Sequence, residues 1–314
     1  EEGQREVLAG YGITEERLGV PVVTTVDTVY LGNCANGRPV WFDRAAYEAD
    51  LIVPINRVKL HTDFVGPIQS GLCKMLVIGL GNHKGCSAVH EEAPEVFADA
   101  IEETARLILQ KAPVGFGIAI LENAYDKTYA VEAVPAEHLV EREKELVQIA
   151  KGNMPYIMLD EADVIVCGAI GKDISGAGFD PNILGRSSVL KQFVLHIPRY
   201  QRLVLCDVTP ASHGNGIGVG LFDVITKKVA EQLDLESMYA NAIACNCLGD
   251  ASVPCTVDDE ETAIRVALKC YRNIDRDHPR IIRIQNTLHL GEIEVSEALL
   301  DAVRADSRMS LIEN

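Results

Sequence analysis

The sequence predicts an α/β protein of two α/β domains, with mostly parallel, Rossmann-like sheets and an active-site cleft between the domains. Short apolar segments such as LIVPI (51–55) and VIVC (164–167) alternate with helix-like segments, as expected for strands that are buried on both faces of a parallel sheet. The same order of buried strand, glycine-rich loop and helix recurs in the second half. Because the pattern breaks around 152–160, we place the domains at residues 1–157 and 158–314.

The elements of the first half follow from local signals. Hydrophobic periodicity, β-branched runs and the Asn36-Gly37 turn predict nine features in order. They are a helix end at 2–8, a strand at 21–31, a hairpin turn at 36–37, a returning strand at 39–42, a short helix at 43–50, a buried strand at 51–55, a long helix at 92–111, a strand pair at 115–134 and a second long helix at 135–151. Since the chain opens on a helix end, we expect the first domain to lack its upstream start.

In the second half, buried strands are predicted at 162–171, 202–208 and 279–286, and a helix at 221–233. The first two strands lead into glycine-rich loops at 171–178 and 213–220. A loop in that position suits the approach of a phosphate to the backbone, and it equally suits a tight turn that needs positive φ. Neither loop has the spacing of a dinucleotide fingerprint or of a P-loop.

Composition excludes several classes of partner. The formal net charge of −17 repels nucleic acid and anionic membrane surfaces, so neither is expected as a partner. The nine cysteines have no disulfide or zinc-ribbon spacing, and the close pair Cys245 and Cys247 is interpreted as small packed side chains. With no apolar run of about 18 residues and no leader pattern, a cytoplasmic protein is expected.

Residues that carry chemistry are concentrated at 56–90. Lys74 lies in the apolar run GLCKMLVIGLG, where burial would lower the pKa of its ammonium and give a nucleophilic amine. The alternative is a lysine whose stem packs while its head reaches water. His61, His83 and His90 could converge on a metal or form an acid/base site, or His61 could belong to a turn with Asp63.

The strongest signal is a spacing, since His90 follows Lys74 by sixteen residues. With this spacing, the segments NRVKLHTDFVGPIQSGLCKMLVIGLGNHKG, KDISGAGFDPN and SHGNGIGVGL make the sequence similar to the lactate racemase family, whose members carry a nickel-pincer nucleotide. His61 precedes Lys74 by a few residues more than in lactate racemase itself, which indicates a divergent branch. The family's second catalytic histidine lies in an upstream segment that has no counterpart here.

The resemblance implies a role for each matching residue. Lys74 would tether the cofactor, His90 would bind its nickel and His61 would be a catalytic base, with His213 as the in-chain candidate for the second base. Further cofactor contacts are expected from Ser70, Gly71, Lys172, Asp173, Gly176 and Asn182, and substrate contacts from Arg57 and Arg186. The first domain would then be the cofactor-binding domain. Expected partners are a small 2-hydroxy acid and the enzymes that synthesise and load the cofactor.

The implied reaction is racemisation or epimerisation at C2 of a 2-hydroxy acid. Hydride transfer to the cofactor avoids removing a weakly acidic α-hydrogen, and the planar 2-keto acid can be reduced again on its other face. Two alternatives stay open from the residues alone. One is a zinc- or iron-dependent hydrolase that uses His61, Asp63 and His90, and the other is a non-catalytic protein that binds a small ligand or metal. The identity of the acid depends on pocket shape and cannot be read from motifs.

Overall fold

The computed structural model describes residues 2–312, and the chain divides into two compact units. The N-terminal unit comprises residues through Glu122 together with Thr128–Gly152, and the C-terminal unit comprises Asn123–Lys127 together with the residues from Asn153 on. The helices of the N-terminal part are α1 (Glu2–Gly10), α2 (Glu15–Leu18), α3 (Arg44–Tyr47), α4 (Leu72–Lys74), α5 (Asn82–His90), α6 (Phe97–Lys111) and α7 (Leu139–Asn153). Its strands are β1 (Thr28–Asn33), β2 (Pro39–Asp43), β3 (Ile55–Arg57), β4 (Phe116–Glu122) and β5 (Thr128–Pro135).

The N-terminal unit contains two small sheets. β1 and β2 form an antiparallel hairpin across the predicted turn at Asn36-Gly37. In the second sheet β3 runs parallel to β4, while β4 pairs antiparallel with β5. The expectation of a mostly parallel sheet therefore does not describe this unit. The reason is the short connection at 123–127, because a parallel pairing needs a long crossover whereas an antiparallel one needs only a hairpin.

The core of the N-terminal unit is centred on α6. Its buried side chains recur every three or four residues, as in an amphipathic helix, and include Phe97, Ile101, Ala105 and Ile108. The predicted strand at 21–31 is wrong over most of its length, since β1 begins only at Thr28. Residues 21–27 belong to no strand, and Val23 and Val26 among them are exposed, so this β-branched run has no sheet to pack on.

The C-terminal unit contains a six-stranded sheet with the order β11-β10-β6-β7-β8-β9. Its strands are β6 (Val164–Cys167), β7 (Arg202–Leu205), β8 (Val224–Thr226), β9 (Cys255–Val257), β10 (Ile281–Ile284) and β11 (Ile293–Val295), and its helices are α8 (Pro181–Leu184), α9 (Lys227–Gln232), α10 (Leu235–Ala244), α11 (Glu260–Lys269) and α12 (Leu300–Ala305). All neighbouring strands are parallel except β10 and β11. The predicted α/β class is confirmed.

Both faces of this sheet are covered, as the apolar strand sequences predicted. On β6, Val164 and Val166 pack toward Ala263 and Ala267 of α11, while Ile165 and Cys167 belong to the larger core on the other face. The helix predicted at 221–233 is wrong in its first part. Residues 224–226 form β8 inside the sheet and only 227–232 are helical, because the β-branched run Val-Ile-Thr pairs with β7 and β9.

All nine cysteines are free thiols. Within residues 2–312, none of the helices combines the length and apolar character that crossing a bilayer requires.

Gly178 in the loop after β6 should be among the least replaceable glycines. Its φ is +88°, and an added Cβ would lie 2.0 Å from the carbonyl oxygen of Ile217. We expect Gly178→Ala to lower the free energy of unfolding by about 2–4 kcal/mol, measured by urea denaturation. Gly176→Ala in the same loop is the matched control, because a Cβ there meets nothing within 4 Å. Equal stabilities of the two variants would contradict the expectation.

Candidate active site

His61 lies in a loop whose two ends are tied together. The backbones of Lys59 and Ser70 pair across the base of the loop, with N–H to oxygen distances of 2.9 and 3.2 Å. Inside the loop, the side chain of Gln69 is buried, and its Oε1 accepts the backbone N–H of His61 at 2.7 Å. The His61 ring stacks on Phe64, with the ring centroids 4.3 Å apart. Backbone and ring of His61 are therefore both held.

The His61 imidazole contacts the Lys74 amine. Lys74 is the last residue of α4, and its Nζ lies 2.5 Å from His61 Nε2. On the other side of the ring, Nδ1 accepts the backbone N–H of Asp63 at 3.1 Å. A neutral imidazole with an accepting Nδ1 carries its proton on Nε2, and that N–H can donate only to an amine with a free lone pair. The contacts thus match a neutral His61 and a neutral Lys74.

Electrostatics agree with this protonation state. Burial lowers the pKa of His61 well below its usual range, and the amines of Lys74 and Lys59 lower it further when they are protonated. Burial also lowers the pKa of the Lys74 amine, with Asp63 acting in the opposite direction. Burial therefore favours the neutral forms of both groups, in which the imidazole is unprotonated and the amine is nucleophilic.

The titration of Lys74 can be checked directly. We expect its acylation by trace acetic anhydride to reach half of its maximal rate at a pH below the value of about 10.4 that is usual for lysine. Lys144 is the internal comparison, because its hydrogen bond to Glu102 raises the pKa of that amine. Peptide mass spectrometry across the pH range would give both curves. If Lys74 titrated at or above Lys144, the neutral pair would be wrong.

His90 ends α5 and is held through one ring nitrogen. Its Nδ1 lies 2.8 Å from the carbonyl oxygen of Cys86 and 3.4 Å from the Cys86 thiol. Donation from Nδ1 to the carbonyl leaves the lone pair on Nε2, the arrangement in which a histidine ligates a metal. The hydrogen bond with Cys86 raises the pKa of His90 and lowers that of the thiol.

His61, Lys74 and His90 belong to one cluster in the N-terminal unit. The buried rings of Phe64 and Phe97 are in contact with each other, Phe64 with the ring of His61 and Phe97 with that of His90. The charge of Lys74 lowers the pKa of His90, and that of His90 lowers the pKa of His61. These three residues are therefore near enough to influence one another electrostatically.

The donor set of the alternative hydrolase is not assembled. Among residues 2–312, no three His, Cys, Asp or Glu side chains are grouped so that they could hold a metal ion, and this includes His61, Asp63 and His90. His83 is exposed on α5 and lines a different cavity, of about 690 Å³, together with Trp41 and Lys84. A metal held here would need donors that the described side chains do not supply.

The other N-terminal candidates have structural contacts. Arg57 on β3 pairs with both carboxylate oxygens of Glu122, each at 2.9 Å. Ser70 closes the His61 loop through its backbone. Gly71 directly precedes α4, and its carbonyl oxygen accepts from Asn56 Nδ2 at 2.9 Å. Ser70 and Gly71 thus join the segment with His61 to the segment with Lys74, whereas the charge of Arg57 is already paired.

In the C-terminal unit, the glycine-rich loop after β6 is closed on itself. Gly171 N–H donates to the Gly178 carbonyl at 2.7 Å, and Lys172 N–H donates to Ser212 Oγ at 2.8 Å. The Lys172 ammonium donates to the Gly176 carbonyl at 2.6 Å and to Asn241. Asp173 accepts from the Thr209 hydroxyl. Because these groups bond within the protein, the tight-turn interpretation fits this loop better than phosphate binding.

Asn182, Arg186 and His213 lie elsewhere in the same unit. Asn182 is buried in α8, with its amide group 3.1 Å from Asp180 Oδ1. Arg186 pairs with Asp223 at 2.7 Å and donates to the Leu221 carbonyl. His213 is exposed, with a left-handed backbone at φ 47°. Asn182 and Arg186 thus contact different carboxylates, Asp180 and Asp223.

Sequence reasoning missed two residues that shape the N-terminal site. Gln69 lies in a loop that gives no local signal that its amide would hold His61. Glu143 contacts the start of α4, and its position in the sequence does give a signal of its burial. In α7 it falls on the apolar stripe with Leu139, Leu146 and Val147, all buried, so its spacing marks it as an inward-facing carboxylate.

Comparisons with known proteins give distant likenesses. No protein-family model and no curated protein matches the chain. A protein from Thermotoga maritima, solved by a structural genomics consortium, is 13% identical with a TM-score of 0.39, over 61% of this chain and 53% of that chain. The lactate racemase apoprotein from Thermoanaerobacterium thermosaccharolyticum is 14% identical with a TM-score of 0.39, over 74% of this chain and 66% of that chain. The chain thus spans between about half and two thirds of the length of these structures.

Proposed function

We propose that this protein is a racemase or epimerase of a 2-hydroxy acid, with a nickel-pincer nucleotide tethered to Lys74. The observation that carries the proposal is the contact between the Lys74 amine and His61 Nε2 at 2.5 Å. A lysine that forms a covalent bond must present a neutral amine, and this contact accommodates one. The sixteen-residue spacing from Lys74 to His90 in the sequence supports the same assignment.

The residues of the cluster fit the chemistry of that cofactor. Lys74 would hold it covalently, and His90 would give nickel one further donor through Nε2, since Nδ1 already bonds to the Cys86 carbonyl. When bound, such a nucleotide supplies a hydride acceptor for C2 of the substrate. A single protein donor is sufficient for this purpose, so the three-residue cluster that a zinc site needs is not required.

His61 would move the proton of the substrate hydroxyl. Because its pKa is lowered well below the usual range, the imidazole is neutral at pH 7. With the ring proton on Nε2, the basic nitrogen is Nδ1, which would exchange its hydrogen bond from the Asp63 N–H for the proton of the hydroxyl. Stacking on Phe64 and the hydrogen bond at its backbone N–H orient the ring. The opposite face of C2 needs a second base. We leave Arg57 and Arg186 out of the proposed site, because Glu122 and Asp223 already pair with them.

The covalent tether provides the test. The chain would be co-expressed with enzymes that synthesise the cofactor, and its intact mass and nickel content would be measured. We expect an adduct and about one nickel per chain in the wild type, and neither in Lys74→Ala. Lys84→Ala is the matched control, because that ammonium lies on α5 over the Trp41 ring, 4.7 Å from its centroid. An unmodified Lys74 with stoichiometric zinc would overturn the proposal.

The substrate is then found by screening. Loaded protein would be incubated with single enantiomers of lactate, malate, longer 2-hydroxy acids and sugar acids, and inversion at C2 would be followed by chiral chromatography. The proposal expects inversion without exchange of the C2 hydrogen with solvent, because a transferred hydride does not equilibrate with water. Inversion with solvent deuterium at C2 would contradict hydride transfer.

A further inference from the structure

A buried carboxylate from α7 caps the segment that carries Lys74. Glu143 is fully buried, and its Oε2 accepts the backbone N–H of Cys73 at 2.8 Å. The Leu72 N–H also favours the charged form of this carboxylate. The first N–H groups of a helix have no partner within the helix, and the residue before it usually supplies one. Here that residue is Gly71, which has no side chain, and Glu143 takes its place.

Gly71 makes room for this carboxylate. A Cβ on Gly71 would lie 2.7 Å from the carboxyl carbon of Glu143 and equally close to its Oε1. The φ of Gly71 is 177°, an extended conformation that any residue adopts, so its backbone does not require glycine. The close approach of Glu143 does require it, because any side chain would displace the carboxylate.

The cap is connected to Lys74 through one turn of chain. α4 comprises only Leu72–Lys74, and the widened π-helical turn Met75–Gly79 begins directly after it. The direction of the Lys74 side chain therefore depends on the turn whose N–H group Glu143 holds. On the other side, Leu139, Leu146 and Val147 pack α7 into the core, so the carboxylate is mounted on a fixed helix.

Few other charges face this carboxylate. Burial raises the pKa of Glu143 to about 7, while the N–H groups of Cys73 and Leu72 act in the opposite direction. From α4, the Cys73 thiol faces it, and burial and Glu143 together raise the pKa of that thiol. From α6, Glu102 and Arg106 act on Cys73 with opposite signs and pair with each other at 2.7 Å.

We propose that Glu143 is a positioning residue, whose carboxylate fixes the first turn of 72–79 and thereby holds the Lys74 amine against His61. The inference goes beyond the proposed function, because it concerns what orients Lys74 whichever reaction the site performs. It assigns Glu143 no contact with substrate or cofactor.

The test compares the wild type with two Glu143 variants and one control variant, each as the whole chain without cofactor. Lys74 acylation would be followed against pH in the wild type, in Glu143→Gln, which keeps an accepting oxygen, and in Glu143→Leu, which does not. We expect wild-type and Gln curves to coincide, and the Leu curve to move up toward an ordinary lysine. Hydrogen exchange of the Cys73 amide should be at least about tenfold faster in the Leu variant alone. Glu145→Leu on the exposed face of α7 should leave both readouts unchanged.

A second variant covers the case in which Glu143→Leu does not fold. Gly71→Ala keeps the carboxylate but occupies its space, so it should move the Lys74 curve in the same direction, while Gly152→Ala, where a Cβ meets nothing within 4 Å, should not. An unmoved Lys74 curve in Glu143→Leu or Gly71→Ala would overturn the proposal, as would a Gln variant that behaves like the Leu variant. Because no cofactor or substrate is present, these results are independent of the proposed reaction.

Discussion

Replacing His61 by asparagine is expected to lower kcat for inversion of the substrate by roughly 10²–10⁴-fold, the usual contribution of a positioned general base. Asparagine keeps a polar side chain of similar reach but cannot accept a proton. The measurement is inversion by cofactor-loaded protein, with the intact mass confirming that the Lys74 adduct is still present. His138→Asn, at an exposed position, is the control. An unchanged kcat in a fully loaded His61 variant would remove His61 from the reaction.

The pH dependence of the reaction tests the role of His61 as a base independently. A general base is lost when pH falls below its pKa, and the pKa of His61 is well below 6.5 chiefly because of burial. The charge of Lys59 acts in the same direction, whereas the charge of Lys74 no longer contributes once that amine is tethered. The acid limb of kcat/KM should therefore lie well below pH 6.5, and activity should be retained from pH 8 down through pH 6.5. A limb centred at 6.5 or above would indicate a different base.

Replacing His90 by alanine is expected to abolish inversion and to lower the nickel content, while leaving the covalent adduct on Lys74. The physical reason is that tethering and metal ligation use different side chains, at opposite ends of the segment 74–90. Nickel per chain would be measured together with intact mass after the same co-expression. The variant should lose nickel to below about a tenth of the wild-type content, in line with the loss of a ligand.

His83→Ala is the matched control for this loss, because His83 is exposed on the same helix. Full nickel content in His90→Ala would show that another donor completes the site. Loss of the adduct as well would show that nickel binding and tethering cannot be separated in this protein.

Much of the fold was accessible from residue patterns. Apolar runs predicted β6, β7 and β10, and periodicity predicted α6 and α7, because a buried face leaves a spacing in the sequence. The predictions were wrong where strand pairing decided the local structure. Residues 224–226 became a strand because β7 and β9 flank them, and β5 became antiparallel because its connection to β4 is short.

For the candidate site too, some features could be predicted from the sequence and others could not. By itself, the sequence determined that Lys74 lies in an apolar run, that His90 follows at a fixed spacing and that His61 is near in the chain. Only the tertiary structure decided that Lys74 contacts His61 and that the His90 ring is held through Nδ1. It also decided that Gln69 and Glu143 support the cluster, and that Arg57 and Arg186 already form ion pairs. The physical reason is that periodicity reports which face of an element is buried, whereas side-chain contacts depend on how separate elements pack.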